Sequence, residues 1–227
     1  MKEKIKYIIK FILLFIVLLI LKSLPIVIFN IDYDSYTIKE KMIYESIWNI
    51  IILIIFILSY YKTLKEDAKK FFSNFSNNFE EAFKVYLIGV IVMIISNVII
   101  TLILGNKIAE NEQLVRERIE LFPILMLLDV AIYAPLTEEL LFRKGIRDII
   151  NNKWLYIFVS GFIFGGLHVI SSTGISALLY LVPYCSLGFA FAYLYTKTNN
   201  IFSSMSMHFL HNTVTILLYL IGANIIW

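Results

Sequence analysis

Residues 121–143 read LFPILMLLDVAIYAPLTEELLFR, an apolar run that carries two adjacent carboxylates, Glu138 and Glu139, near its end. A helix that crosses a bilayer needs about 20 mostly apolar residues, so this stretch predicts a membrane span. Carboxylates inside a bilayer are costly, and each one present needs a reason. The stretch therefore predicts a helical membrane protein and marks a place where chemistry is expected.

The composition of the whole chain agrees with this interpretation. Of the 227 residues, 59% are hydrophobic and 16% are charged, whereas soluble domains average about 45–50% and about 25%. One soluble core could not bury so much apolar surface, but lipid can solvate it. The single cysteine excludes an intramolecular disulfide framework. A net charge of +3 is too small and too scattered to suggest nucleic-acid binding.

Further apolar segments predict an all-α polytopic bundle of about seven transmembrane helices. They lie at 7–29, 43–61, 85–105, 121–142, 154–171, 176–196 and 201–223. Lysines precede the first segment, as they would in a signal peptide. The apolar run nevertheless continues to Phe29 without a small-residue cleavage site, which favours a retained first span.

The basic residues predict the orientation. With a cytoplasmic N-terminus, 14 of the 20 Lys and Arg residues fall on the cytoplasmic side and 6 fall outside, as the positive-inside rule requires. Trp48, Trp154 and Trp227 fall near the predicted interfaces, and Lys107 begins a charged outer segment at 106–120. The predicted localisation is the cell membrane, as a multi-pass protein in contact with the lipid bilayer.

We divide the chain at residue 120 within one integrated membrane domain. Residues 1–119 carry three predicted spans, and residues 120–227 form a predicted core of four. In the cytoplasmic loop 62–84, phenylalanines recur at helical spacing among polar residues, which predicts an amphipathic helix in the membrane interface. We favour a structural strut for this segment; the alternative is a gate for substrate that enters from the lipid.

Ionisable and amide side chains inside the predicted spans concentrate in the last four. They are Asp129, Glu138, Glu139, His168, His208, His211 and Asn212. An anchoring segment would not need this concentration, because each such group is expensive in lipid. Residues 120–227 are therefore predicted to be the functional part.

The spacing of these residues predicts which of them share a helix face. Glu139 and Arg143 are four residues apart and can form an ion pair, which leaves Glu138 about 100° round the helix and free for another role. His208 and Asn212 also share a face.

The fifth span offers a matching face. Phe164 and His168 are four residues apart, and Gly165 and Gly166 between them permit close approach of another helix. Residue 153, at the predicted turn, is 15 positions from both Glu138 and His168. A simple hairpin therefore predicts that these two side chains lie at matching depth.

The three motifs, in this order, resemble the CAAX prenyl endopeptidase and bacteriocin-processing or self-immunity family, the glutamic intramembrane proteases abbreviated CPBP or Abi. The family pattern is Glu-Glu-x-x-x-Arg, then Phe-x-x-x-His, then His-x-x-x-Asn/Asp. Here the motifs read Glu138-Glu139…Arg143, Phe164…His168 and His208…Asn212, within about residues 120–223. The first three spans carry no part of the resemblance.

The resemblance implies hydrolysis of a peptide bond in a membrane-associated peptide or protein substrate. It makes Glu138 the general base for a water molecule, assisted by His168. His208 and Asn212 would polarise the scissile carbonyl and stabilise its oxyanion. Glu139, Arg143 and Phe164 would be structural supports.

The substrate stays open between two classes at this point. Eukaryotic and archaeal members resemble enzymes that remove the last three residues from a prenylated Cys-a-a-X end. Bacterial members are associated with bacteriocin maturation, immunity and peptide-signal processing.

Metal dependence has two readings. Two histidines and a glutamate could hold zinc, and zinc is the alternative that we keep. The chain lacks the His-Glu-x-x-His pattern, and Asn212 beside His208 suits an oxyanion better than a metal. We therefore expect no metal and no cofactor.

Two rival functions remain. The first is a non-catalytic membrane immunity or scaffold protein of the same fold. The second is a small proton-coupled transporter, in which Asp129, Glu138 and His168 would form a relay. Transporters commonly contain paired repeats, and we find no internal repeat in the sequence.

Overall fold

The computed structural model describes residues 2–105, 108–170, 172 and 174–222, and the described chain is helical, without β-strands. Its helices are α1 (Lys2–Ile20), α2 (Leu24–Ile28), α3 (Ile38–Ser59), α4 (Tyr61–Ser73), α5 (Phe75–Leu104), α6 (Glu110–Leu121), α7 (Pro123–Leu127), α8 (Ala134–Glu138), α9 (Ile146–Ile149), α10 (Lys153–His168), α11 (Gly174–Thr198) and α12 (Ile201–Leu220). Lys107 and Trp227, which the sequence analysis places on the outer side and near an interface, lie outside the described residues.

Two π-helical segments, Leu128–Tyr133 and Glu139–Gly145, join α7, α8 and α9 into one helical run. π-Helical turns are rare and are frequently found at functional sites. The second segment begins at the second glutamate of the first motif, so the irregular backbone coincides with the residues that the sequence analysis selects.

The predicted fold class is confirmed, since the described chain is an all-α bundle with helices suited to a membrane. Ile38–Ser59, Phe75–Leu104 and Leu178–Thr198 are long and apolar enough to cross a bilayer. The count of seven spans stays a prediction.

The first predicted span is wrong as a continuous helix over 7–29. Helix α1 ends at Ile20, residues 21–23 form a turn, and α2 begins at Leu24 with Pro25 in its first turn. Proline lacks a backbone N–H and fits the start of a helix better than its interior. Pro25 therefore favours a new helix at a point where window-averaged hydropathy predicts one continuous span.

The predicted amphipathic helix in loop 62–84 is two helices. They meet at Asn74, whose backbone is non-helical with φ −142° and ψ 56°. Phe71 is buried and stacks on Phe202 of α12 with ring centroids 6.3 Å apart, while Phe72 and Phe75 stay exposed. The periodicity of the phenylalanines continues across Asn74 and so conceals the break.

Helix α4 supports the start of α12. The Ile201 N–H donates to Asp67 Oδ2 at 2.9 Å, and Asn200 Nδ2 donates to the Asp67 carbonyl oxygen at 2.9 Å. Burial raises the pKa of the Asp67 carboxyl. A carboxylate at a helix N-terminus satisfies a backbone donor that has no partner within the helix. These contacts favour the strut over the gate.

Helices α10 and α11 pack closely at glycines. A Cβ on Gly165 would lie 2.4 Å from Cys185 Sγ and 2.8 Å from its backbone nitrogen. A Cβ on Gly188 would lie 2.7 Å from the Gly161 carbonyl oxygen, whereas one on Gly166 would meet nothing within 4 Å. Close approach therefore depends on Gly161, Gly165 and Gly188 and not on Gly166.

Contacts between distant segments place the predicted cytoplasmic segments at one end of the bundle. There Lys197 pairs with Glu81 at 3.1 Å, and Lys10 Nζ donates to the Ser59 carbonyl at 2.7 Å. At the opposite end, Arg118 of α6 pairs with Glu45 of α3 at 2.7 Å. This arrangement agrees with the predicted alternation of the spans.

Cysteine labelling tests the orientation. We expect Glu117→Cys, in a Cys185→Ser background, to react with a membrane-impermeant maleimide in intact cells, since most basic residues should face the cytoplasm. Ser76→Cys should react only after the membrane is permeabilised. Both positions are exposed in the structure. The reverse pattern would overturn the orientation.

Paired glycine substitutions test the packing of α10 on α11. Gly165→Ala should lower the free energy of unfolding by about 1–3 kcal/mol, because the added methyl has no room. The control Gly166→Ala lies in the same helix with open space and should preserve or raise stability, by up to about 1 kcal/mol. Unfolding in detergent measures both, and equal losses would contradict the packing argument.

Candidate active site

A fully buried ion pair lies at the base of the site. Arg143 Nε donates to Glu139 Oε2 at 3.1 Å, and both side chains are fully inaccessible to solvent. Arg143 Nη1 donates to Ser160 Oγ at 2.8 Å, and the guanidinium carbon lies 4.7 Å from the Phe164 ring centroid. The predicted pairing of Glu139 with Arg143 is present, and Phe164 packs against it.

Glu139 has a second partner that spacing did not predict. His208 Nδ1 lies 3.0 Å from Glu139 Oε1. A carboxylate in an ion pair only accepts, so Nδ1 carries the proton and donates it to Glu139. Glu139 therefore holds the His208 ring as well as the Arg143 guanidinium. These residues are 69 positions apart, and only the tertiary fold brings them together.

Glu138, the neighbouring carboxylate, is free to interact in the cavity. Its side chain is 22% exposed, and its Oε2 lies 3.9 Å from His208 Nε2, beyond hydrogen-bond distance. Glu138 Oε2 has no hydrogen-bond partner among the described residues. The pairing of Glu139 with Arg143 is thus as the spacing predicts, and the separate role of Glu138 stays a prediction.

His168 is held in one orientation at the end of α10. Its Nδ1 lies 2.8 Å from the Phe164 carbonyl oxygen. Because a carbonyl oxygen only accepts, Nδ1 carries the proton and Nε2 is left as an acceptor in the neutral ring. The ring packs between Phe164 and Tyr184, at centroid distances of 4.5 Å and 4.9 Å.

Asn212 retains part of its hydrogen-bonding capacity. Its Nδ2 donates one of its two N–H groups to the Val130 carbonyl oxygen at 2.7 Å. The second N–H and the Oδ1 acceptor take no part in that hydrogen bond. The bond also fixes the direction in which the amide points. The side chain lines the same cavity as Glu138.

The predicted residues meet at one cavity of about 260 Å³. Its wall contains five of the seven: Glu138, Phe164, His168, His208 and Asn212. Glu139 and Arg143 do not line the cavity and lie within the packed interior behind His208 and Phe164. Glu138 and His168 both line this cavity, and their matching depth stays a prediction.

Two other polar residues of the spans have different surroundings. His211 also lines the cavity, although it is outside the motif, and its Nδ1 lies 3.2 Å from the Tyr86 hydroxyl. Asp129 does not line the cavity and accepts from Ser46 Oγ at 2.5 Å. The relay of Asp129, Glu138 and His168 that a transporter would need is therefore not assembled in this cavity.

The sequence analysis missed the polar residues at the far end of the cavity. Asn97 of α5 and Asn111 and Glu112 of α6 line it together with the predicted residues. They belong to no motif, and α6 reads from its sequence as a charged, solvated helix.

The donor set does not fit a zinc site in this arrangement. Among the residues that the structure describes, no three His, Cys, Asp or Glu side chains are grouped so that they could hold a metal ion. His168 and His208 each present one ring nitrogen without an assigned proton, but they are not grouped with a third ligand as structural and catalytic zinc sites require.

Comparison with known proteins points to a family of membrane peptidases. Residues 120–214 match the Rce1-like family of type II CAAX prenyl endopeptidases. The chain is 30% identical over 115 residues to the putative membrane peptidase YdiL of Bacillus subtilis, which is 49% of this chain and 44% of that protein. It is 39% identical over 79 residues to the UPF0177 protein YxdF of Lactococcus lactis, which is 35% of this chain and 41% of that protein.

The matches cover less than half the length of either curated relative. No solved structure matches the chain. With the apolar helices, the family match supports a multi-pass membrane protein. The resemblance to the CPBP family that the three motifs predict is confirmed over residues 120–214, the part of the chain that carries all of them.

Proposed function

We propose that this protein is an intramembrane endopeptidase that hydrolyses a peptide bond of a membrane-associated peptide or protein. One observation carries the proposal. Glu138, whose Oε2 makes no hydrogen bond among the described residues, shares a cavity with the two motif histidines His168 and His208. Each of these rings is held through Nδ1, which leaves its Nε2 available. This arrangement supports general-base catalysis with a polarised carbonyl.

Glu138 is the general base in this proposal. It accepts a proton from a water molecule, whose other O–H can donate to His168 Nε2. The water oxygen then attacks the scissile carbonyl carbon and forms a tetrahedral oxyanion. A positioned general base accelerates such a step by about 10²- to 10⁴-fold.

His208 and Asn212 are the proposed donors to the oxyanion. His208 already donates its Nδ1 proton to Glu139, so it needs a second proton, on Nε2, to donate to substrate. In that imidazolium form, the charges of His208 and Arg143 balance those of Glu138 and Glu139. A neutral cluster avoids the penalty of an uncompensated charge in a low-dielectric interior.

The tetrahedral intermediate then collapses. The carbon–nitrogen bond breaks, and the leaving amine takes the proton that Glu138 received from water. The products are a carboxylic acid and an amine, and Glu138 returns to its carboxylate form. Glu139, Arg143 and Phe164 touch no reacting atom in this scheme and position His208.

We propose that the reaction needs no metal or cofactor. The arrangement of the donors supports this. Glu139 accepts from His208 Nδ1 and from Arg143, so these groups are already paired with one another. The finer substrate class stays between a CAAX-type end and a bacteriocin or signal peptide. The alternative is a non-catalytic immunity or scaffold protein. Loss-of-function variants distinguish it from the proposed peptidase.

The two adjacent glutamates should respond differently to the same substitution. Glu138→Gln should lower kcat at least about 100-fold, because it removes the base, while the melting temperature stays near that of the wild type. Glu139→Gln should lower the free energy of unfolding by about 3–5 kcal/mol, because it leaves Arg143 buried without a counter-charge.

Activity is measured by incubating purified protein with candidate peptides in detergent and identifying the products by mass spectrometry. Thermal unfolding provides the stability. Equal losses of activity and stability in both variants would contradict the division of roles. Full retention of cleavage by Glu138→Gln would sink the proposed mechanism.

Removing the Asn212 side-chain amide should slow the reaction, because it removes a proposed donor to the oxyanion and not a metal ligand. Asn212→Ala should lower kcat by about 100- to 1,000-fold, as loss of one oxyanion donor does elsewhere, with little change in KM. His211→Gln is the matched control on the same helix and should retain most activity.

Elemental analysis of active wild-type protein separates this mechanism from zinc catalysis. We expect substoichiometric zinc and full activity after chelation. One zinc per chain, lost in His168→Ala or His208→Ala together with activity, would overturn the metal-free mechanism.

A further inference from the structure

Helix α4 connects two helices that are long and apolar enough to cross a bilayer, α3 and α5. It is 13 residues long and extends about 20 Å at 1.5 Å per residue. Since α3 ends where α4 begins and α5 begins where α4 ends, a membrane that contains both spans has α4 at its surface. A helix in that place contacts lipid headgroups as well as protein.

One side of α4 packs against the first turn of α12. Asp67 and Phe71 on this side are buried. Asp67 Oδ2 accepts the Ile201 N–H at 2.9 Å, and the Phe71 ring lies 6.3 Å from the Phe202 ring between centroids. The neighbouring Phe72 ring also contacts Phe202, at 5.9 Å. A change in the position of α4 therefore acts directly on the start of α12.

A second side of α4 presents aromatic rings and lysines together. Tyr61, Lys65, Lys69 and Phe72 follow one another at intervals of four, four and three residues, which places them on one side of a helix. All four side chains are exposed. Phe75, the first residue of α5, extends the apolar part, because its exposed ring stacks on Phe72 with centroids 6.1 Å apart and an interplanar angle of 11°.

The lysines of α4 carry positive charge that the described part of the chain does not neutralise. They are Lys62, Lys65, Lys69 and Lys70, all exposed. None of them forms an ion pair with a carboxylate of the described residues. Glu66 is the one exposed acid of this helix, since Asp67 is buried against α12. By contrast, Lys84 and Lys197 are both paired with glutamates.

The combination of rings and unpaired lysines selects the kind of partner. A soluble anion would pair with the lysines but would leave Tyr61, Phe72 and Phe75 in contact with water. A zwitterionic leaflet would accept the rings but would leave the positive charge without a counter-charge. An anionic leaflet satisfies both, because aromatic rings bury at the headgroup boundary while lysines bind its negative surface.

We propose that the exposed side of α4 binds the headgroups of anionic phospholipids, and that this contact holds α4 against the first turn of α12. Because α12 carries His208 and Asn212, anionic lipid then stabilises the helix that presents them to the cavity. None of the described α4 residues lines that cavity. The lipid contact therefore does not rest on the proposed function and can be tested without a substrate.

Thermal unfolding of the purified chain in detergent tests the lipid contact. Phosphatidylglycerol added to the micelles should raise the melting temperature about 3–6 °C more than phosphatidylcholine does, since each lysine near an anionic surface strengthens the attraction about fivefold. The difference should disappear for the wild type in concentrated salt, because the Debye length falls to about 3 Å at 1 M. Soluble glycerol phosphate should not reproduce the shift, because it cannot cover the aromatic rings.

Two triple variants locate the contact on α4. Combined Lys62→Gln, Lys65→Gln and Lys69→Gln should remove the preference for phosphatidylglycerol without touching the buried side of the helix. The matched control removes the same charge from the exposed start of α1, at the same predicted end of the bundle. Its substitutions are Lys2→Gln, Lys4→Gln and Lys6→Gln, and it should keep the preference.

Amide hydrogen exchange tests the coupling to α12. With phosphatidylglycerol in place of phosphatidylcholine, the Ile201 N–H should exchange about threefold more slowly or less in the wild type, and at an unchanged rate in the α4 triple variant. The Leu155 N–H is the control. It donates to Asn152 Oδ1 at the start of α10 without involving α4, and its rate should be similar in the two lipids.

The lipid contact and its coupling to α12 fail on different results. A phosphatidylglycerol preference that persists in the α4 variant or in concentrated salt would overturn the contact, as would an equal shift with phosphatidylcholine or with glycerol phosphate. Loss of the preference in both triple variants would also overturn it. Unchanged exchange at Ile201, or equal slowing at Leu155, would overturn the coupling.

Discussion

The buried contact of Glu139 with both Arg143 and His208 is the interaction on which the rest of this site depends. Two fully inaccessible charges are stable in an apolar interior only as a pair, and removing one partner of such a pair costs about 3–5 kcal/mol. Because Glu139 also accepts from His208 Nδ1, the same carboxylate that neutralises the arginine determines which nitrogen of the histidine faces the cavity. Structural stability and chemical orientation are therefore coupled in one carboxyl group.

The surrounding helices serve this arrangement in different ways. Gly165 lets α10 approach α11, so that Phe164 and His168 reach the cavity. Asp67 of α4 binds the N-terminus of α12, the helix that carries His208 and Asn212. The N-terminal part of the chain thus contributes to the site indirectly, through support of α12 and through the wall that α5 supplies, although it carries none of the three motifs.

Much of the site was predictable because its residues recur at helical spacing. Glu139 with Arg143, Phe164 with His168, and His208 with Asn212 are each four residues apart, and an α-helix places such residues on one face. The predicted first span and the single amphipathic helix were wrong for a related reason. Hydropathy and periodicity report an average over a window, whereas Pro25 and Asn74 each interrupt a helix at one residue.

The sequence by itself determined that the chain is a helical membrane protein and which residues carry its candidate chemistry, since both follow from composition and from contacts within one helix. Only the tertiary structure decided that Glu139 holds His208, that Asp129 pairs with Ser46 outside the cavity, and that Asn97 lies in its wall. These contacts join segments far apart in the chain, and helical periodicity specifies the face of a helix but not the helix that it meets. The orientation of the His208 imidazole, and with it the proposed chemistry, depends on these contacts between helices.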